Sequence, residues 1–145
     1  MRKEPLLVSA CLLGIKCRYN GEIKTTEAVA ALAERYNLVP VCPEILGGLA
    51  TPRPAAERRG EAVFNKEGVD VTKPFVLGAE KTAEMAADLG CRQAVLKANS
   101  PSCGCGIIYD GTFTGKKIAG NGVAAEHLLK INVHVVNEES LEALK

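Results

Sequence analysis

Three short apolar runs, each leading to a cysteine, constrain this chain more than any other feature. Residues 6–10 (LLVSA) run directly into Cys11, and residues 38–41 (LVPV) run directly into Cys42. Residues 93–98 (QAVLKA) reach Cys103 five positions later. Short apolar runs bounded by turn residues read as buried strands. A fourth run, VHVV over 133–136, has the same character.

Helical periodicity fills the intervals. Ala28, Ala31, Leu32 and Tyr36 predict a helix over 27–36, with Thr25 or Thr26 as its cap. Residues 74–89 predict a second helix, ended by Gly90. Residues 124–130 and 138–145 predict two more. Strand–helix alternation predicts an α/β fold: one domain over 1–145, a mostly parallel, Rossmann-like central sheet, and helices on both faces. EAVFNKEGVDVT predicts a small β-hairpin insertion turning at NKEG. IIYDGTFTGKKIAGNG is irregular or a hairpin, and the Gly/Pro-rich segment 43–60 reads as a functional loop.

In a parallel sheet, ligands bind outside the carboxyl ends of the strands. Cys11, Cys42 and Cys103 should therefore gather at one sheet edge. Cys91 precedes its strand, belongs at the opposite edge, and is expected to be a small, partly buried residue. Cys17 lies in the loop after the first strand. Cys105 is two residues beyond Cys103, so either thiol of that loop could serve.

Six cysteines in 145 residues is a high count for reduced thiols. Disulfide frameworks, however, belong to small loop-rich secreted domains, and this chain has long regular segments. The N-terminus, MRKEPLLVSACLLG, starts basic and turns apolar. Its apolar run is short for a signal sequence and no cleavage site follows, so a strand is the better reading. No stretch approaches the roughly 20 apolar residues of a membrane helix. The expectation is a cytoplasmic protein with no membrane partner. A net charge of +1 gives no global field toward nucleic acid and favours a small-molecule partner. Nothing in the sequence sets the oligomeric state.

Three convergent thiolates suit zinc, Cu(I) or an iron–sulfur cluster. Structural zinc wants a fourth ligand and a Cys-x2-Cys pair, and the closest pair here is Cys103-Gly-Cys105. Spacing alone leaves several readings: a metal or cluster enzyme with an open coordination position, a non-catalytic metal- or cluster-binding module, a thiol redox protein using Cys103 and Cys105, and plain buried cysteines.

Three longer motifs narrow this. LVSACLLGIKCRYNG, VCPEILGGLATPRPAAE and KANSPSCGCGIIYDGTFTG together resemble the thiouracil desulfidase family, long known only as a domain of unknown function, over about residues 6–136. The resemblance implies a 4Fe–4S cluster held by three cysteines, with one iron open to the sulfur of a thiolated base. The ligands carry over to Cys11, Cys42 and Cys103, the same thiols that the strand ends select. The family pattern often has valine at position 17 and serine at 105, which makes Cys17 and Cys105 accessory thiols that could close the open iron or handle sulfur. Such an exposed cluster is expected to be labile in air.

Glu44 matches the family pattern and is the candidate general acid or base, although a glutamate there also suits a helix start. Ser100 is the candidate proton relay, and Ser102 and Arg53 are candidates for substrate binding. Both serines equally fit turn chemistry. The implied reaction is non-redox desulfuration, in which the open iron polarises the thiocarbonyl and water, activated by Glu44 or Ser100, attacks its carbon. Arg18, Arg53, Arg58 and Arg59 could form an anion-binding patch or a solvated loop. Lys97 lies near the site, His127 and His134 are isolated, and GNGVAAEH is a weak glycine-rich helix start that could bind an anion.

Overall fold

A computed structural model describes residues 3–15, 19–20 and 27–145. In chain order it contains β1 (Glu4–Ser9), a 3-10 turn (Ala10–Leu13), α1 (Glu27–Ala31), a 3-10 turn (Leu32–Glu34), β2 (Tyr36–Val41) and α2 (Pro43–Leu46). Then come β3 (Ala56–Arg59), β4 (Ala62–Asn65), α3 (Thr72–Leu89), β5 (Gln93–Leu96), β6 (Ile107–Tyr109), β7 (Lys117–Ala119), α4 (Val123–Lys130) and β8 (His134–Asn137).

Among the described residues, four strands form one sheet in the order β2-β1-β5-β8, and every pairing is parallel. Leu6, Leu7 and Val8 at its centre are fully buried, as strands covered on both faces require. Leu7, Ala94, Leu96 and Val135 pack with Ala86 of α3 and Leu128 of α4. Leu6, Val8, Val95 and Val136 pack with Leu12 of the first 3-10 turn, Val29 of α1, and Leu141 and Leu144 near the C-terminus. Pro40, which cannot donate to a ladder, sits on the edge strand β2. The chain steps outward from β1 to β2, then returns past β1 to β5 and on to β8, so the order reverses between β1 and β5. That switch point is where such sheets open a crevice.

Several expectations need correction. The predicted 27–36 helix is only one turn of α1 and one 3-10 turn, because Tyr36 already pairs with Glu4 as the first residue of β2. Thr25 and Thr26 lie outside the described residues. The predicted hairpin is displaced: β3 and β4 pair antiparallel around Gly60 and Glu61. The NKEG turn does form, with the Asn65 side chain accepting from Glu67 N and Val69 N, but it leads to a single bridge between Phe64 and Asp70. The segment over 107–122 contains the antiparallel β6–β7 pair. The C-terminal helix is absent. Only Leu141–Ala143 makes a 3-10 turn, since Glu138 is committed to Ala98 N and Lys97, and the Gln93 side chain binds the Lys145 backbone.

Two contacts fix the segments that flank the crevice. α2 crosses α3 at Gly47 and Gly78, where a Cβ on Gly78 would overlap the Pro43 carbonyl. Only glycine permits that approach. The β3–β4 hairpin is tied to α4 by buried Arg58, which donates to Asn121 O at 2.7 Å and to Glu126 Oε2 at 2.9 Å. No helix among the described residues is long and apolar enough to cross a membrane.

Candidate active site

A cavity of about 350 Å³ opens at the carboxyl ends of β1, β2 and β5, and Cys11, Cys42 and Cys103 all line it. Each is placed by a different local device. Cys11 sits two residues past β1 in the 3-10 turn rather than directly after the strand, as the sequence suggested, because β1 ends at Ser9; it is buried. Cys42 leaves β2 in extended conformation as the N-cap of α2, with Pro43 in the first turn. Cys103 lies in a turn after β5 that docks on the start of α4. Val123 N donates to Pro101 O at 2.9 Å, and Ala124 N and Ala125 N donate to Ser102 O at 2.9 and 3.0 Å.

That docking uses up the N–H groups of the GNGVAAEH helix start, so they serve the Cys103 turn and not an anion. Gly122 lies against the backbone of Ser102 and Cys103.

Burial pushes the Cys103 thiol up to about 12, helped by nearby Cys42 and Glu44 and opposed by hydrogen bonds from Ser9 and Ser102. Ser9 was not anticipated from the sequence. Its hydroxyl accepts from Lys97 N at 2.8 Å and also reaches the Cys103 sulfur. The signal was its place in the run LLVSA, one residue before a turn.

Glu44 is the hub of the polar wall. Its Oε1 accepts from Arg53 Nε at 3.0 Å, and its Oε2 accepts from Ser102 Oγ at 2.9 Å. Arg53 also donates to Ala50 O and Thr51 Oγ1, both at 2.9 Å, which holds the guanidinium against Glu44. Ser100 and Ser102 hydroxyls are 3.0 Å apart. A carboxylate only accepts, so Ser102 donates to Glu44 and Ser100 donates to Ser102. Ser100 Oγ also accepts from Ser102 N and Cys103 N at 3.1 Å, so it shapes the turn as well as ending the relay. Ser102, rather than Ser100, is the direct partner of Glu44.

The other candidates separate from the cavity or take structural roles. Cys105 is half-buried, with its thiol directed at Val135 O, and burial raises its pKa. It does not line the cavity. Cys103 and Cys105 both hold their protons tightly, which is the opposite of an activated redox thiol. None of Cys11, Cys42, Cys91, Cys103 and Cys105 is in a disulfide. Cys91 lies just before the amino end of β5, at the expected edge, and is buried rather than partly buried. Cys17 and Arg18 lie outside the described residues.

The other arginines form no patch. Arg58 is buried against Glu126, and the Arg59 guanidinium lies over the Phe64 ring at 5.7 Å. Lys97 lines the cavity but pairs with Glu138 at 3.0 Å. His127 bonds the Val123 carbonyl of its own helix, and His134 bonds Ala143 O.

The donor set fits an iron–sulfur cluster better than a single ion. Among the described residues, no group of three or more His, Cys, Asp or Glu side chains could hold one metal ion. A cluster asks for something else: each thiolate binds its own iron, so the ligands must surround a volume and not a point. Three thiols on separate strand ends around one cavity meet that demand.

Comparisons with known proteins agree with this geometry. A family described as 2-thiouracil desulfurase matches residues 6–140. The uncharacterized protein YbbK of Bacillus subtilis (strain 168) is 44% identical over 94% of this chain and 97% of its own length. A solved structure described as the 4Fe–4S-dependent thiouracil desulfidase TudS (DUF523Vcz) superposes with a TM-score of 0.92 at 44% identity. It covers 98% of this chain and 95% of that one.

Proposed function

Since the chain belongs to the 2-thiouracil desulfurase family, we propose that it converts a thiouracil-type base and water into uracil and hydrosulfide. The cofactor is a 4Fe–4S cluster, as in the similar TudS structure. Cys11, Cys42 and Cys103 hold it, and Glu44 handles the protons. One observation carries this reading: the three strand-end thiols and the Glu44–Ser102 pair line the same cavity.

When bound, the cluster supplies an open iron that acts as a Lewis acid on the exocyclic sulfur. The chain's own residues do the rest. Arg53 fixes one oxygen of Glu44, leaving Oε2 to work through Ser102. Ser102 Oγ takes a proton from the attacking water as it passes its own to Glu44 Oε2. Ser100 holds the Ser102 hydroxyl in line and pins the turn that carries Cys103. Glu44 returns that proton to the departing sulfur, which leaves as hydrosulfide, and the second proton of the water passes to solvent as the new carbonyl forms, so the reaction is a hydrolysis with no net electron transfer. A cavity of about 350 Å³ lies toward the small end of ligand sites and suits a single-ring base.

The test is incubation of anaerobically reconstituted protein with thiouracil. Uracil and hydrosulfide should appear in equal amounts. A loaded protein that yields neither would overturn the reading.

A further inference from the structure

Glu57 is a second carboxylate on the cavity wall, and the desulfuration scheme gives it no task. It lies on β3, at the end of the motif VCPEILGGLATPRPAAE. One oxygen is anchored: Oε1 accepts from Gly111 N at 3.0 Å and from Phe113 N at 3.1 Å, both in the loop between β6 and β7. The other oxygen, Oε2, has no partner among the described residues. No Lys or Arg among them pairs with Glu57.

Anchoring the loop needs only Oε1. A carboxylate oxygen left accessible on a cavity wall can accept from a donor on a bound molecule. The uracil ring offers two N–H donors, and a charged acceptor makes the stronger kind of hydrogen bond.

We propose that Glu57 Oε2 accepts a ring N–H of the bound base, making Glu57 a specificity-determining residue for bases with N–H at that position. The inference rests on the thiouracil reading. It further implies that Glu57 disfavours rings methylated at that nitrogen, which block the contact, and rings presenting a lone pair there, which faces the carboxylate charge.

Glu57→Gln separates this role from a structural one. The amide oxygen still accepts from Gly111 N and Phe113 N, while the group facing the base changes from acceptor to donor. Wild type and Glu57→Gln would be reconstituted anaerobically and assayed with thiouracil and with its 1-methyl and 3-methyl derivatives. Binding of uracil would be measured alongside by calorimetry.

Wild type should discriminate against one methyl isomer by about 10- to 100-fold in kcat/KM, the worth of a charge-assisted bond. Glu57→Gln should lose a similar factor on thiouracil and on uracil affinity, discriminate little between the isomers, and keep the wild-type Tm. Equal activity of the two proteins on thiouracil, or unchanged isomer discrimination, would overturn the proposal. Absence of sulfide release by wild type would instead remove the desulfuration reading beneath it.

Discussion

The sheet-end wall of the cavity and its hairpin wall differ in how the fold holds them. On the sheet side, Ser9, Cys11, Ser102 and Cys103 are all buried, and they sit on a parallel sheet, on the 3-10 turn that follows β1, or on a turn capped by α4. On the other side, Ala56, Glu57 and Tyr109 are half-buried and belong to two-stranded ribbons. A lone two-stranded ribbon is marginally stable, so this wall depends on Arg58 reaching across to Glu126. The difference separates tasks. Holding a cofactor and moving a proton need fixed geometry, which the sheet provides. Choosing among related bases needs one well-placed acceptor, which a tied-down ribbon can supply.

Removing one of the thiols proposed as cluster ligands should have the largest effect. Cys103→Ala should lose both the visible absorbance of the cluster and all sulfide release. A variant that keeps both would show that Cys103 is no ligand. Because burial lifts the Cys103 thiol to about 12, it stays protonated below that pH until it takes a metal. Loading must release this proton, at a cost that falls by about 1.4 kcal/mol per pH unit as pH rises toward that value. Proton release measured during reconstitution checks the sign.

Glu44→Gln comes next. It leaves the thiols untouched and should lower kcat by about 10²- to 10⁴-fold at unchanged iron content. Near-normal turnover would remove Glu44 from the proton path.

Arg58→Met probes the hairpin wall. Unpairing Glu126 and the Asn121 carbonyl should cost about 1–3 kcal/mol in thermal unfolding. KM should rise several-fold with cluster content intact. If iron is lost instead, the two walls are not separable. The smallest effect is expected for Cys105→Ser, which should keep activity within about twofold, since the thiol lies off the cavity, packed on the core and directed at the Val135 carbonyl. A large loss there would bring Cys105 back into the chemistry.

The parallel sheet was legible in the sequence because buried strands are short, apolar and bounded by turn residues. For the same reason the strand-end rule placed Cys11, Cys42 and Cys103 together before any family was considered. Glu44, Ser100 and Arg53 came through the resemblance, and the geometry then put Ser102 rather than Ser100 against Glu44. The hairpin was misplaced because EAVFNKEGVDVT carries a good turn at Asn65, while the ladder is set by Arg58, whose partners lie 63 and 68 residues away. The C-terminal segment has helical composition, but long-range bonds of Glu138 and Lys145 override it. Glu57 stood inside a quoted motif without being singled out, since its value depends on a loop more than 50 residues later.

The most direct test is iron and sulfide quantification on anaerobically reconstituted wild-type protein, beside the Cys11, Cys42 and Cys103 alanine variants. The account predicts a 4Fe–4S complement in the wild type, as named for the similar solved structure. It predicts loss of that complement in every variant. Zinc in place of iron, or full iron retention after removal of all three thiols, would contradict it.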